Sequence, residues 1–367
     1  MVATSAPKNI FKGKRILVTG HTGFKGAWLS IWLRELGGHV IGYALEPYTR
    51  NDVFVAAVLE DKIESHIGDI RDYKNLKAVF DESRPEIAFH LAAQPLVRLS
   101  YREPKLTFDT NVGGAVNFLE CCRLSQSVRV AVNITSDKCY ENKEWAWGYR
   151  ESDALGGFDP YSSSKGCSEL ATAAYRSSFF THGSGRGSGK YVSTVRAGNV
   201  IGGGDWREDR LVPDCIKALK KQQTIGIRFP KAVRPWQYVL EPLSGYLQVA
   251  AKMWEFGDKY AGAWNFGPDS SSVITVSELV EKLLAYWGSG SYKDLSARLK
   301  DEPHETNCLM LDISKAVNVL DWRPRLNIDD AIRMTVDWYK AKKPGYAFCV
   351  KQINEFTDRS RSRQGYR

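Results

Sequence analysis

The sequence predicts an α/β protein with a doubly wound parallel sheet and a smaller mixed α/β lobe toward the C-terminus. A short apolar run, Lys14 to Thr19, closes in Gly20-His21-Thr22-Gly23-Phe24-Lys25-Gly26 and passes into helical spacing from Ala27 to Leu36. Apolar runs and helix-spaced segments then alternate as far as Ile134, the pattern of a parallel sheet covered on both faces. From Arg196 to Trp206 the texture changes abruptly to glycine and polar residues, which marks the first crossing out of the sheet.

The opening unit is strand, turn and helix, and His39 to Ala44 adds the second strand of a βαβ unit. Glycines at 20, 23 and 26 suit a tight turn, close approach of the backbone to a pyrophosphate, and close packing of helix on strand. A glycine pattern alone is weak evidence; the flanking strands and helix turn it into a dinucleotide signal. The acid that holds a ribose diol is expected about 20 residues on. Gly42-Tyr43-Ala44-Leu45 stands there instead, and Glu46 comes late.

Ser65 to Asp72 reads as a third strand ending in acids, with an amphipathic helix through Phe80. Asp69 either touches an adenine ring or caps that helix; spacing alone does not choose. Ile87 to Gln94 is a fourth buried strand whose small residues let a cofactor lie against the backbone, and His90 on it reads as packed core. A helix over Thr107 to Arg123 carries Asn111 and Gly113-Gly114 near its start. Val128 to Ile134 is the fifth strand and delivers Thr135 to Tyr140. These motifs all fall at carboxyl ends of strands, outside which a doubly wound sheet binds its ligand.

A helix from Tyr161 to about Phe180 follows, then a surface loop at His182 to Gly189, and Tyr191 to Val195 resumes the sheet. We place residues 1–200, with 236–262 returning, in the first domain, and 201–235 with 263–367 in the second lobe. The return includes a helix from Leu243 to Trp254, and the second lobe a strand at Leu309 to Asp312.

Composition narrows the class of protein. With 367 residues, 43% hydrophobic and 12% aromatic, the chain has ample material for a core, and no apolar run approaches the ~18 residues of a membrane span. Met1 to Lys14 has no apolar h-region, so a cytoplasmic protein is expected. Seven scattered cysteines show no metal-like spacing and read as reduced thiols; no metal is expected. The net charge of +9 favours an anionic partner, but part of it lies in Arg359 to Arg367, which reads as a solvated tail, and nucleic acid is not expected.

Between Asn133 and Lys165 an acid, two ammonium groups, hydroxyls and a phenol gather at the end of a strand and the start of a helix. Tyr161 and Lys165, four residues apart, share one helix face. An isolated pair of this kind is ordinarily a surface feature; behind a dinucleotide turn it reads as catalytic. A phenol has a reference pKa of ~10 and needs positive charge nearby to serve as a base.

With Gly20/Gly23/Gly26, the strand ending at Ser136-Asp137 and Tyr161-x-x-x-Lys165 in this order, the chain resembles the extended short-chain dehydrogenase/reductase family over nearly its full length. Within it, Thr135 to Tyr140, Arg98 to Pro104, Arg196 to Trp206 and Arg234-Pro235-Trp236-Gln237 look most like the CDP-glucose 4,6-dehydratases. Lys138 stands where related dTDP-glucose dehydratases carry Glu; Tyr238 departs from a pattern that has His. The resemblance implies a Rossmann-type NAD-binding domain, a substrate-binding lobe, a nucleotide-sugar substrate with CDP-glucose favoured, and a homo-oligomer. It implies cofactor contacts from Gly20, Thr22, Gly23, Phe24, Lys25, Gly26, Asp69, Ile70, Leu91, Ala92, Ala93, Tyr161 and Lys165. Gln94, Arg98, Asn199, Arg207, Arg210 and Arg234 are implied for substrate, although Arg207 reads equally as an interface ion pair.

The implied reaction oxidises the sugar at C4, eliminates water across C5 and C6, and returns the hydride to C6. The resemblance makes Tyr161 the C4 base, with Lys165 beside it, Ser136 a hydrogen-bond partner of the C4 oxygen, Lys138 the C5 base and Asp137 the acid at C6. Asp137 must then hold its proton well above ~3.9 and Lys138 lose its own below ~10.4. Burial drives both shifts, whereas a salt bridge between the two would oppose both. An epimerase or decarboxylase on another nucleotide sugar shares the hydride step without needing this pair, and a dinucleotide-binding protein without turnover needs neither pair.

Overall fold

The computed structural model describes residues 10–180, 189–298 and 309–364. Most of the N-terminal tail, the loop predicted at 182–189 except Gly189, and the last three residues lie outside them.

The first half alternates as expected: β1 (Arg15–Thr19), α1 (Phe24–Glu35), β2 (His39–Ala44), β3 (Glu64–Ile67), α2 (Tyr73–Ser83), β4 (Ile87–His90), α3 (Gly114–Leu124), β5 (Val130–Ile134), α4 (Pro160–Tyr175) and β6 (Tyr191–Ala197). With β7 (Ala263–Phe266) they form a seven-stranded parallel sheet in the order β7-β6-β5-β4-β1-β2-β3. All residues of β4 and β5 are buried, as strands covered on both faces must be. The order reverses between β1 and β4, and there the backbone at Gly20 is so close to Leu91 and Ala92 that an added Cβ would sit 2.7 Å from the Ala92 nitrogen. Gly20 also has φ of +75°, so this turn needs glycine twice over.

Several expectations need correction. The helix predicted over Thr107 to Arg123 is broken into Pro104–Phe108, a π-turn at Asp109–Gly113, and α3. The extra residue of that turn accompanies the placement of Asn111, whose side chain accepts from the Gln94 N–H (2.8 Å) and donates to Ser164 Oγ (2.9 Å), tying the loop after β4 to α4. His90 is a core residue as expected, stacked on Phe118 and hydrogen-bonded to Thr19.

The predicted boundary at 262/263 cuts across the sheet, because Ala263–Phe266 pairs with β6 along its whole length. Leu309 to Asp312 forms a single bridge, Tyr149 to Leu311, and no strand. The returning helix, α5, is longer than predicted, spanning Leu240–Phe256. Helices at Val276–Trp287 and Ser314–Leu320 follow, and then α6 (Ile328–Lys340) and α7 (Tyr346–Gln364). α7 packs on α1, where Phe356 meets Trp32 edge to face at 5.7 Å. Arg359, expected in a solvated tail, is in α7 and bonds Asp330 at 2.8 Å, because α7 carries the chain past it in helical form.

α5 is anchored by a buried acid. One oxygen of Glu241 accepts the backbone N–H groups of Arg325 and Leu326, both at 2.7 Å, while the other has no hydrogen-bond partner among the described residues. Burial pushes this carboxyl up to about 7 from 4.5. Since the folded value lies above the unfolded one, the native state takes up the proton in that window, and this stabilisation is complete below 4.5 and lost as pH rises to about 7. Glu241→Gln is expected to flatten that part of the stability curve. Urea unfolding from about pH 5 to about pH 7 should show wild type losing up to about 2–3 kcal/mol relative to the variant; parallel curves would contradict the assignment.

Candidate active site

One cavity of about 920 Å³ opens along the carboxyl ends of β1 to β6 and reaches the loops at 197–215 and 225–236. All the candidate residues named from the sequence line it.

The segment after β5 turns sharply. Ser136 is fully extended, and its hydroxyl accepts the Lys138 N–H (3.2 Å) while donating to Asp137 Oδ1 (2.9 Å), so Asp137 to Cys139 winds into one 3-10 turn. Burial holds the Asp137 carboxyl above the ordinary carboxylate range, against the pull of Lys138, Ser136 and Lys25. Among the described residues no salt bridge joins Asp137 to Lys138. Lys138 remains half-buried, so the full burial expected of both members of the pair is met only at Asp137. Gly198 stands against this acid: a Cβ there would lie 2.8 Å from Asp137 Oδ2.

α4 brings the other pair. Asp159 caps it by accepting the Ser162 N–H at 2.9 Å, and Pro160 occupies its first position, which turns Tyr161 inward at the helix start. Burial pushes the Tyr161 phenol up to about 12, while the Ser136 hydroxyl beside it favours the phenolate. Burial, helped by Lys25, brings Lys165 down to about 8, and its ammonium donates to the Ile134 carbonyl at 3.3 Å.

The turn after β1 suits an anion. Gly23 is the N-cap of α1 and provides no side-chain acceptor, and the first turn holds no acid, so the N–H groups of that turn are open to a phosphate. A Cβ on Gly26 would sit 2.1 Å from the Gly20 carbonyl oxygen, which fixes the turn's tightness. Thr22, Phe24, Ile70, Leu91, Ala92 and Ala93 form the adjoining wall. Burial and Arg210 bring Lys25 to about 8, although Asp137 and Asp205 attract its charge. The turn and its open helix end therefore fit the pyrophosphate of a dinucleotide such as NAD.

Other residues resolve or revise the sequence reading. Asp72 caps α2 by accepting the Asn75 N–H at 3.1 Å, whereas Asp69 faces the cavity and holds the Arg71 guanidinium at 3.0 Å. Glu46 lies exposed at the cavity mouth. Gln94 lines the wall but its amide is committed to Thr107 (2.8 Å) and to the backbone of Leu96 (2.6 and 3.1 Å), so it braces the loop. Arg207 lies over the Tyr48 ring at 4.0 Å and, among the described residues, forms no ion pair of the kind weighed from the sequence. Arg210 is paired with buried Asp205 at 2.7 Å, and Asp209 draws in both Arg98 (3.8 Å) and Arg228 (3.6 Å). Asn199 and Arg234 stand on the same wall. Asp205, Asp209 and Arg228 were missed; the signal was an acid on either side of Arg207 in a glycine-rich crossing, which attention to arginines alone passed over.

Fold and site define an NAD-binding doubly wound parallel sheet with a cavity along the carboxyl ends of its strands. The sequence pattern of the family described as GDP-mannose 4,6 dehydratase matches residues 17–335, and the chain belongs to this family of NAD-dependent nucleotide-sugar 4,6-dehydratases. It is 48% identical over 351 residues to the CDP-glucose 4,6-dehydratase of Salmonella typhimurium, covering 96% of this chain and 97% of that one. Among solved structures it is similar to DesIV, the dTDP-glucose 4,6-dehydratase of Streptomyces venezuelae with NAD and TYD bound, with a TM-score of 0.74, 25% identity and coverage of 89% and 97%. The UDP-glucose 4-epimerase of Thermotoga maritima shares the fold at a TM-score of 0.73, with 22% identity and coverage of 89% and 98%.

Proposed function

We propose that this chain dehydrates CDP-D-glucose to CDP-4-keto-6-deoxy-D-glucose, with NAD cycled and not consumed. The observation that carries the reading is a buried Asp137, its carboxyl raised by desolvation, in the same cavity as Tyr161 and Lys165. The 48% identity to a CDP-glucose 4,6-dehydratase supports the choice of reaction and of nucleotide.

When bound, NAD supplies the hydride acceptor for C4, the donor for C6 and, in its oxidised form, the positive charge that Tyr161 needs to act as a base. Tyr161 takes the C4 hydroxyl proton, with Ser136 holding the C4 oxygen and already favouring the phenolate. Once C4 is a ketone, the C5 proton is acidic, and Lys138 removes it as the sugar covers the part of that residue left open to water. Asp137 gives its proton to the departing C6 hydroxyl, a step that a carboxyl raised by burial favours. Lys138 then returns a proton to C5. An epimerase uses the Tyr161 step but has no need of a neutral acid beside it.

Arg98, Arg207, Arg228 and Arg234 line the wall toward the second lobe, where guanidinium forks match diphosphate oxygens. Residues 201–235 with the C-terminal segments form the substrate side of the cavity, and the sheet with α5 the cofactor side. Exposed Leu124, Leu170 and Phe179 support a homo-oligomer, and the six unpaired cysteines of the described residues support a cytoplasmic setting.

Incubating the protein with CDP-glucose and NAD in deuterated water should yield a dehydrated product carrying one deuterium at C5. A dehydrated product without it, or no product from CDP-, dTDP- or GDP-glucose, would contradict the proposal. Lys138→Met should still allow C4 oxidation, seen as reduced-cofactor absorbance in a single turnover, while elimination falls by about 10²–10⁴-fold. Tyr161→Phe should suppress both steps, and full dehydration by Lys138→Met would move the C5 base elsewhere.

A further inference from the structure

Below the cavity floor lies a buried ion pair that none of the chemical steps uses. Arg196 of β6 and Glu169 of α4 face each other with side chains 3% exposed, joined at 2.8 Å through both Nε and NH2. Glu169 also accepts the hydroxyls of Thr194 (2.6 Å) and Thr135, so both its oxygens are shared between two donors. The remaining Arg196 nitrogen donates to the Tyr140 hydroxyl at 2.5 Å. Tyr140 in turn donates to Asn265 of β7 at 2.8 Å, and the Asn265 amide donates to the Tyr149 carbonyl at 2.7 Å.

Thr135 and Tyr140 are the first and last residues of the segment that carries Ser136, Asp137 and Lys138. Both ends of that segment are thus fastened by side-chain hydroxyls to one ion pair. The same pair holds α4 four residues beyond Lys165, and hence one helix turn below the Tyr161/Lys165 pair. We propose that Thr135, Tyr140, Glu169 and Arg196 form a clamp of positioning residues that sets the elimination groups, Asp137 and Lys138, in register with the hydride-step groups on α4.

None of the four residues lines the reacting end of the cavity except Thr135, whose hydroxyl is turned to Glu169. The clamp therefore acts through geometry. Tyr161 and Lys165 are built into a sixteen-residue helix with its own cap at Asp159, whereas Asp137 to Cys139 form a single 3-10 turn that packs on that helix and is tied at its two ends by the hydroxyls of Thr135 and Tyr140. Loosening the clamp should disturb elimination more than oxidation. A displacement of about 1 Å in a reacting group is worth about a hundredfold in rate.

The inference rests on the dehydratase reading, and the test separates the two. Tyr140→Phe and Thr135→Val each remove one hydroxyl and leave the ion pair intact, which avoids the unpaired buried charge that Glu169→Ala would create. In single turnovers of the NAD-loaded protein with CDP-glucose, each variant is expected to oxidise C4 within about threefold of wild type while elimination slows about ten- to a hundredfold, so that reduced-cofactor absorbance builds up. Thr135→Ser, which keeps the hydroxyl, should restore the wild-type ratio of the two rates. Equal slowing of both steps, or an unchanged ratio in both variants, overturns the clamp alone. Failure of wild type to form any dehydrated product overturns the clamp together with the reading beneath it.

Discussion

The bonded pair of Arg196 and Glu169 is the constraint on which the site depends. Removing two such charges from water costs several kcal/mol per ion, and the loss is offset only when the geometry is good and the remaining donors and acceptors are met. Here they are met by Thr135, Thr194 and Tyr140, which belong to the segment after β5, to β6 and to the floor of the site. Arg196 in turn holds Glu169 in its charged form, since its hydrogen bonds and charge, with the hydroxyls of Thr135 and Thr194, outweigh desolvation and keep the carboxyl below the usual range. The pair thereby fixes β5, β6, β7 and α4 at the end of the sheet where ligands bind.

Burial without a partner does the opposite one layer above. Among the described residues Asp137 has no bonded cation; the Ser136 hydroxyl, the Lys138 N–H and the charges of Lys138 and Lys25 pull its carboxyl down, and desolvation wins. Two buried carboxylates, Asp137 and Glu169, are pushed in opposite directions, one upward by desolvation and one downward by its bonded guanidinium. Opposed shifts of this kind are how one fold keeps structural charge apart from acid chemistry. Lys25 and Lys165 follow the same rule, each brought down to about 8 by burial among other cations.

Much of this was legible in the sequence, for physical reasons. The strand-turn-helix at Lys14 to Leu36 can be read because glycines at 20, 23 and 26 are demanded by local backbone approach, and the pairing of Tyr161 with Lys165 because both lie on one helix. The alternation of strands and helices likewise shows in local periodicity. What was not legible depends on long-range contacts. Ala263–Phe266 is too short for its apolar pattern to reveal that it pairs with β6, and the π-turn at Asp109–Gly113 answers to Gln94 and Ser164, far along the chain. The resemblance implied Gln94 for substrate, but its amide is taken by Thr107, a contact that local pattern does not reveal. Asp205 and Asp209 were passed over because an acid's value here depends on which arginine folds back onto it.

The central claim is that one cavity moves a hydride from C4 to C6 of the same sugar while water leaves between them. The most direct measurement uses CDP-glucose deuterated at C4 with the NAD-loaded protein, followed by mass and NMR analysis of the product. The account predicts a 4-keto-6-deoxy sugar with that deuterium at C6 of the same molecule. Deuterium lost to solvent, or retained at C4 in a product that has kept its water, would contradict it.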